Sequence, residues 1–240
     1  MSWAAKEFGT LDLGDARLNR RAVLLAERLA QKPVASIPNA CQNWSETVAA
    51  YRFLSNEDVN WDDVMQAHWQ ASEQRISQHP VVLCLQDTTE LDFNGQQMAG
   101  LGPLSYEAQR DLYLHPTYVV TPDREPLGVT NAWTWAREFK SADGTRPGAL
   151  ESMRWIESYE RVAEQARHVC VCDRESESDI MALLVRAREL NHAADYLVRS
   201  QHNRALPEGG GSCQAICRQK AQAQCVFLST SSSLDLSGLR

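Results

Sequence analysis

Two aspartates stand at the ends of short apolar runs: Asp87 closes the stretch that begins Val81 to Leu85, and Asp173 follows His168 to Cys172. Continuous apolar runs of this length read as strands buried on both faces. In an open α/β sheet, ligands bind at the carboxyl ends of strands. If the two strands are neighbours, the carboxylates can share Mg²⁺, a hard cation that takes one or two carboxylates plus substrate phosphate oxygens. That donor set suits phosphoryl transfer on nucleic acid, where metals stabilise the attacking and leaving oxygens. Spacing alone favours a plainer reading, in which both aspartates cap strand ends or the turns behind them.

A second group is cationic. Lysine occurs only at Lys6, Lys32, Lys140 and Lys220, so 20 of the 24 basic residues are arginine. Arginine suits bidentate phosphate and carboxylate contacts. Between Asp15 and Gln31, Leu18, Ala22, Leu25 and Leu29 recur at helical spacing, and Arg17, Arg20, Arg21 and Arg28 collect on the opposite face. Such a face is ordinarily solvated surface. The net charge of −7 argues against a uniformly basic nucleic-acid binder and leaves room for a local basic site.

The elements that would carry these groups form two regions. In the first, Asp15 is placed to cap the basic helix, and Pro33 and Pro38 break the pattern with a loop between them. Asn43 with Glu46, and Asn60 with Asp63, resemble capping boxes for helices ending near Leu54 and Ser77. After Pro80 the period changes to strands: 81–85, then a polar loop over 94–110, then 116–121 and 127–135 joined at Pro122 to Glu125. A helix over 149–166 with Met153, Ile156, Tyr159 and Val162 on one side, a strand at 168–172, a helix over 179–190 and a strand at 195–198 complete an α/β layout. The tail contains Gly209 to Gly211, three of the seven cysteines and a serine-rich end, shows no sustained period beyond a short strand at 225–228, and is not expected to share the core.

Other chemistry finds little footing. No phosphate-cradling glycine loop or nucleophile elbow is present. His168, Cys170 and Cys172 with Cys213 and Cys217 have a zinc-like look, but alternate strand cysteines are more often small core residues. The seven tryptophans read as core, with Trp133 and Trp135 near enough to a site rim to stack on bases. An odd cysteine number fits reduced thiols, and no apolar run approaches a membrane span. The expectation is a cytoplasmic, nucleoid-associated protein with no membrane partner.

Several ordered stretches carry a family resemblance: Leu13-Gly14-Asp15-Ala16-Arg17, Ala50-Tyr51-Arg52-Phe53-Leu54, Gln86-Asp87-Thr88-Thr89, Cys172-Asp173-Arg174-Glu175 and Tyr196-Leu197-Val198-Arg199-Ser200. In this order the chain resembles the N-terminal half of an IS4-family, Tn5-like transposase. The resemblance implies a small all-α DNA-binding domain over 1–78, a partial ribonuclease-H-like mixed sheet with flanking helices over 79–207, and a tail over 208–240. It implies that Asp87 and Asp173 are the first two acids of an Asp-Asp-Glu triad, binding Mg²⁺ or Mn²⁺ for DNA strand cleavage and transfer. It makes Arg17, Arg20, Arg21 and Lys32, with Arg199, His202 and Arg204, candidates for contact with double-stranded inverted-repeat ends. A dimer, with itself or with an intact transposase, is the implied assembly.

The departures are equally specific. The family's third acid, in a Tyr-Arg-Glu-Lys signature, has no counterpart here, and Ser176-Glu177-Ser178 lengthens the run between Glu175 and Asp179. A truncated frame with an out-of-frame tail is therefore expected. Two classes stay open: a metal-dependent nuclease that recruits Glu90 or Asp92 locally, and a non-catalytic remnant that binds DNA ends and interferes with an intact transposase.

Overall fold

The computed structural model describes residues 1–93, 98–106, 109–148, 152–165, 169–173, 180–198 and 226–227, with 165, 169–173 and 226–227 described by backbone alone. The chain divides into two compact units, Met1–Ser77 and Gln78–Arg240. The architecture is mixed α/β with a helical N-terminal region. Among the described residues no helix is long and apolar enough to cross a membrane.

The first unit is made of α1 (Trp3–Glu7), α2 (Ala16–Gln31), α3 (Ile37–Ala40), α4 (Trp44–Leu54) and α5 (Trp61–Ile76). The longer helices begin where a side-chain oxygen satisfies an N–H that has no partner within the helix. Asp15 accepts from the Arg17 N–H at 2.7 Å, Asn43 from Glu46 at 2.9 Å and Asn60 from Asp62 at 3.2 Å. Glu46 does not return to its own cap residue. Its carboxylate accepts instead from the Gln42 N–H at 2.9 Å and from the Arg28 guanidinium at 3.0 and 3.1 Å. Pro38, expected to break the path, starts α3, where a missing N–H costs nothing.

The apolar stripe of α2 packs where its spacing directs it. Ala22 and Leu25 are buried with Leu11, Cys41, Ala50, Phe53 and Ala67, and Leu18 and Leu29 lie against them. A polar clasp ties α1 to α5: Glu7, 6% exposed, accepts from both terminal nitrogens of Arg75 at 2.8 Å and bonds His68 Nδ1 at 2.6 Å. Burial alone would push the Glu7 carboxyl up, but the guanidinium and the imidazole together hold it below its ordinary value. The tryptophans depart from expectation: Trp3, Trp44 and Trp61 are exposed, and Trp61 meets Trp69 edge to face.

The second unit contains β1 (Val82–Gln86), β2 (Thr89–Leu91), β3 (Gly102–Pro103), β4 (Arg110–Val120), β5 (Pro126–Trp135), α6 (Met153–Gln165), β6 (Val169–Asp173), α7 (Met181–Glu189), β7 (Asp195–Val198) and β8 (Val226–Phe227). The strand order is β2-β4-β1-β6-β7-β8, with β5 and β3 also paired to β4. The pairs β1–β6 and β6–β7 are parallel and the remainder antiparallel, so the sheet is mixed. Two residues of the tail thus join the sheet beside β7, contrary to the expectation that the tail stands apart from the core.

Three expectations for the sheet need correction. The strand after Pro80 is covered on one face only: Val82, Cys84 and Gln86 are buried, whereas Leu85 is 39% exposed beside its partner Tyr118. The strand expected from Pro116 begins at Arg110, inside the stretch read as a loop, because its buried face carries Asp111, Tyr113, His115 and Thr117 and so lacks an apolar alternation. On α6 the inward face is Trp155, Ile156, Tyr159 and Val162, while Met153 at the helix start is exposed.

Pro116 explains a break at the centre of the sheet. A proline has no N–H to give to a ladder and is confined to interruptions or edges. The β1 ladder on β4 stops at Gln86 opposite Thr117, and the β2 ladder resumes at Thr89 opposite Leu114. Asp87 and Thr88 cross the gap outside either ladder, alongside His115 and Pro116. Close packing at the far end of β4 uses a glycine: a Cβ on Gly102 would lie 2.0 Å from the Arg137 carbonyl oxygen.

Candidate functional site

In the helical unit, α2 and α4 enclose a groove of about 950 Å³ whose lining includes Asp15, Arg17, Arg21, Trp44, Arg52 and Asp58. Its two walls are helix faces: Arg17, Leu18 and Arg21 of α2, with Gly14 just ahead of the helix, from one side, and Ser45, Val48, Ala49 and Arg52 of α4 from the other. Gly14 adopts a φ of 74°, a left-handed turn open to glycine at no steric cost, just ahead of the Asp15 cap.

The cations of α2 separate into distinct roles. Arg17 is exposed and donates to Asp15 at 2.8 Å, and this pairing holds the Asp15 carboxyl below its ordinary value. Arg20 is exposed and Arg21 half-buried. Arg28 leaves the basic face: it is clasped by Glu46, so its charge serves the α2–α4 contact. Lys32 donates to the Asn39 carbonyl at 2.7 Å and bridges the end of α2 to α3.

Two further groove residues escape a reading of the sequence. Arg52 lies seven positions after Ser45 on the same face of α4, and Trp44 stands at its entrance, 77% exposed. The spacing of positions 45, 48, 49 and 52 is a usable signal, but it acquires meaning only when α4 is set beside α2.

In the sheet unit, β1 and β6 are parallel neighbours, and Gln86 is in register with Asp173. Asp87 and Asp173 therefore end adjacent parallel strands at the same edge. Asp87 is half-buried, and its carboxylate has no hydrogen-bond or ion-pair partner among the described residues. Beneath this end runs a buried polar row. Gln86 Nε2 donates to Thr117 Oγ1 at 3.2 Å, and Thr117 donates to Asn131 Oδ1 at 2.9 Å, each residue in register with the next across β1, β4 and β5.

Glu90, considered as a local third acid, is occupied elsewhere. It accepts from the Ser105 N–H at 3.0 Å and the Tyr113 hydroxyl at 2.9 Å, and the Ser105 bonds first among several causes hold its carboxyl below the ordinary value. Tyr113 stacks with Trp135 at 5.5 Å, and the Arg137 guanidinium lies over its ring at 4.2 Å. Among the described residues no group of three or more His, Cys, Asp or Glu is placed to hold a metal ion. The Asp173 side chain and the candidates Arg199, His202 and Arg204 lie outside the described residues, as does the zinc-like cysteine group.

The groove and all of its lining fall within the first fifty-nine positions. Residues 1–59 match the family described as Transposase DNA-binding, so the N-terminal unit carries DNA binding of the transposase type.

Proposed function

We propose that this chain is a Tn5-like transposase of the IS4 family that grips double-stranded transposon ends through the α2–α4 groove and cleaves DNA at the carboxylates of Asp87 and Asp173. The observation that carries this reading is the pairing of a transposase DNA-binding match over 1–59 with two aspartates that end adjacent parallel strands. In this reading the sheet unit is ribonuclease-H-like and works with a second transposase copy. The oxygen donors suit a hard cation: a half-buried carboxylate with no partner among the described residues, beside a second strand-end aspartate, offers the one or two carboxylates that Mg²⁺ or Mn²⁺ accepts. When bound, the ion would supply a nucleophilic oxygen at neutral pH and stabilise charge on the phosphodiester. The chain's own part is to bring two aspartates to the ends of adjacent parallel strands.

The groove accounts for binding by charge and shape. Arg17 and Arg21 from α2 and Arg52 from α4, which line the groove, with the exposed Arg20 beside them on α2, can engage phosphates, fixing register without reading sequence. Replacing Arg17, Arg21 and Arg52 by alanine is expected to weaken affinity for an inverted-repeat duplex and to flatten log K against log salt by about 1 for each phosphate that an arginine no longer neutralises. Fluorescence anisotropy across a salt series measures it, and an unchanged slope removes the groove from the DNA interface.

Cleavage is tested by incubating full-length protein and labelled inverted-repeat duplex with Mg²⁺ or Mn²⁺. Strand nicking that falls to background in Asp87→Ala is the expected result. Nicking that persists in that variant rejects the carboxylate assignment. A second reading, DNA-end binding without cleavage, is favoured by the commitment of Glu90, the nearby acid that could have completed a triad, to Ser105 and Tyr113. Tight binding with no metal-dependent nicking would select it.

A further inference from the structure

His115 is fully buried on β4, yet it belongs to no ladder on the β1 side, because Pro116 opens the gap that Asp87 and Thr88 cross. Its Nδ1 lies 2.8 Å from the Thr88 hydroxyl. Trp155 of α6 packs edge-on against the imidazole at 4.6 Å, and Trp133 of β5 flanks it at 6.2 Å. The ring is thus clamped between a helix and a strand, with one nitrogen aimed at the residue next to Asp87. The placement costs stability, since Nε2 is buried with no partner among the described residues.

The strand register explains what it does. Gln86 is opposite position 173, so Asp87 stands one step beyond that row. Successive residues of a continued strand face opposite sides, and strict alternation would send side chain 87 away from the face shared by Gln86 and position 173. For the two strand ends to serve one site, the backbone must leave the strand after Gln86. It does so, at the interruption made by Pro116, where no ladder hydrogen bonds hold it. The Thr88–His115 bond ties this turn back to β4 in their place.

We propose that His115, acting through Thr88, is the positioning residue that fixes the Asp87 turn and thereby aims the Asp87 carboxylate toward the end of β6. This rests on the reading of Asp87 and Asp173 as metal carboxylates. Groups that orient metal ligands typically alter metal affinity by about 10- to 100-fold when removed. Thr88→Val keeps the shape of the side chain and deletes its hydroxyl, while Thr88→Ser retains the bond.

Two measurements on the full chain separate the inference from the reading beneath it. Mn²⁺ affinity, by electron paramagnetic resonance of free ion, is expected to fall about 10- to 100-fold in Thr88→Val and in His115→Phe and to recover in Thr88→Ser. Hydrogen exchange of the 87–89 amides, without metal, is expected to quicken in the first two variants and remain native in the third. Thr88→Val with native Mn²⁺ affinity overturns the positioning role even if its melting temperature falls. Native exchange in both disruptive variants overturns it independently of any metal. If the wild-type chain binds no Mn²⁺ while exchange still quickens, the metal reading fails and His115 is reduced to a structural support of the turn, which also overturns the proposal.

Discussion

Replacing Glu7 by alanine is expected to destabilise the N-terminal unit by about 3 kcal/mol, the lower end of what removing one partner of a buried pair costs. The loss leaves Arg75 and His68 facing an emptied, largely dry space between α1 and α5. The lower end applies because the Arg75 side chain is 36% exposed and regains water easily. Thermal unfolding followed by circular dichroism should show the N-terminal unit's transition falling by about 15 °C, given the 4–8 °C per kcal/mol typical of domains this small. Glu7→Gln keeps the shape and part of the hydrogen bonding and should lose less. The exposed Asp15–Arg17 pair is the contrast: Arg17→Ala, which removes the pair and keeps the Asp15 cap, should leave stability almost unchanged, because solvent screens both charges. Equal shifts for the two pairs would show that burial does not govern the clasp. The sign with pH follows from the lowered Glu7 carboxyl: its contribution is present above the ordinary value of 4.5 and is lost as pH falls below it.

The second large effect lies in the sheet unit and in a different pH window. Burial, followed by the nearby Arg154 charge, pushes the His115 imidazole down to about 4 from an ordinary 6.5. The native state therefore keeps it neutral while the unfolded chain protonates it between those values. A depressed histidine costs stability as pH falls: the unit is at full stability above 6.5 and loses about 3 kcal/mol by pH 4, where the loss levels off. Urea unfolding of the sheet unit at a series of pH values, read by tryptophan fluorescence, measures the slope. His115→Phe, which cannot titrate, should be less stable at pH 7 through loss of the Thr88 bond and flatter between pH 6.5 and 4. Parallel slopes in wild type and variant would rule out this histidine as the source. The window is distinct from that of Glu7 and Glu90, whose lowered carboxyls act below 4.5.

How far the fold was legible in the chain depends on whether its signals were local. The stripe Leu18, Ala22, Leu25 and Leu29 and the caps Asp15, Asn43 and Asn60 act within one or two turns, and they appear in the structure where spacing put them. The turn through Pro122 to Glu125 is equally local, closed by Thr121 and Glu125 backbone bonds at 2.9 Å. The first half of β4 was not legible. Its inward residues are Asp111, Tyr113, His115 and Thr117, and a polar residue becomes a core residue only when a distant partner satisfies it. Those partners, Phe93, Glu90, Thr88 and Gln86, come from 18 to 31 positions away.

The candidate sites divide along the same line. From residue types and order alone came an arginine-bearing amphipathic helix, two acids at strand ends and the family resemblance; these rest on periods of two and 3.6 residues and on ordered motifs, which a linear chain displays directly. Which arginines remain available to a ligand was decided by tertiary structure, because Arg28 meets Glu46 and Arg52 meets the groove only when α2 and α4 pack. The parallel pairing that sets the ends of β1 and β6 side by side, and the bond by which His115 holds the turn at Asp87, were likewise decided there. Both join residues separated by tens of positions, and no local period encodes the register of strands so far apart.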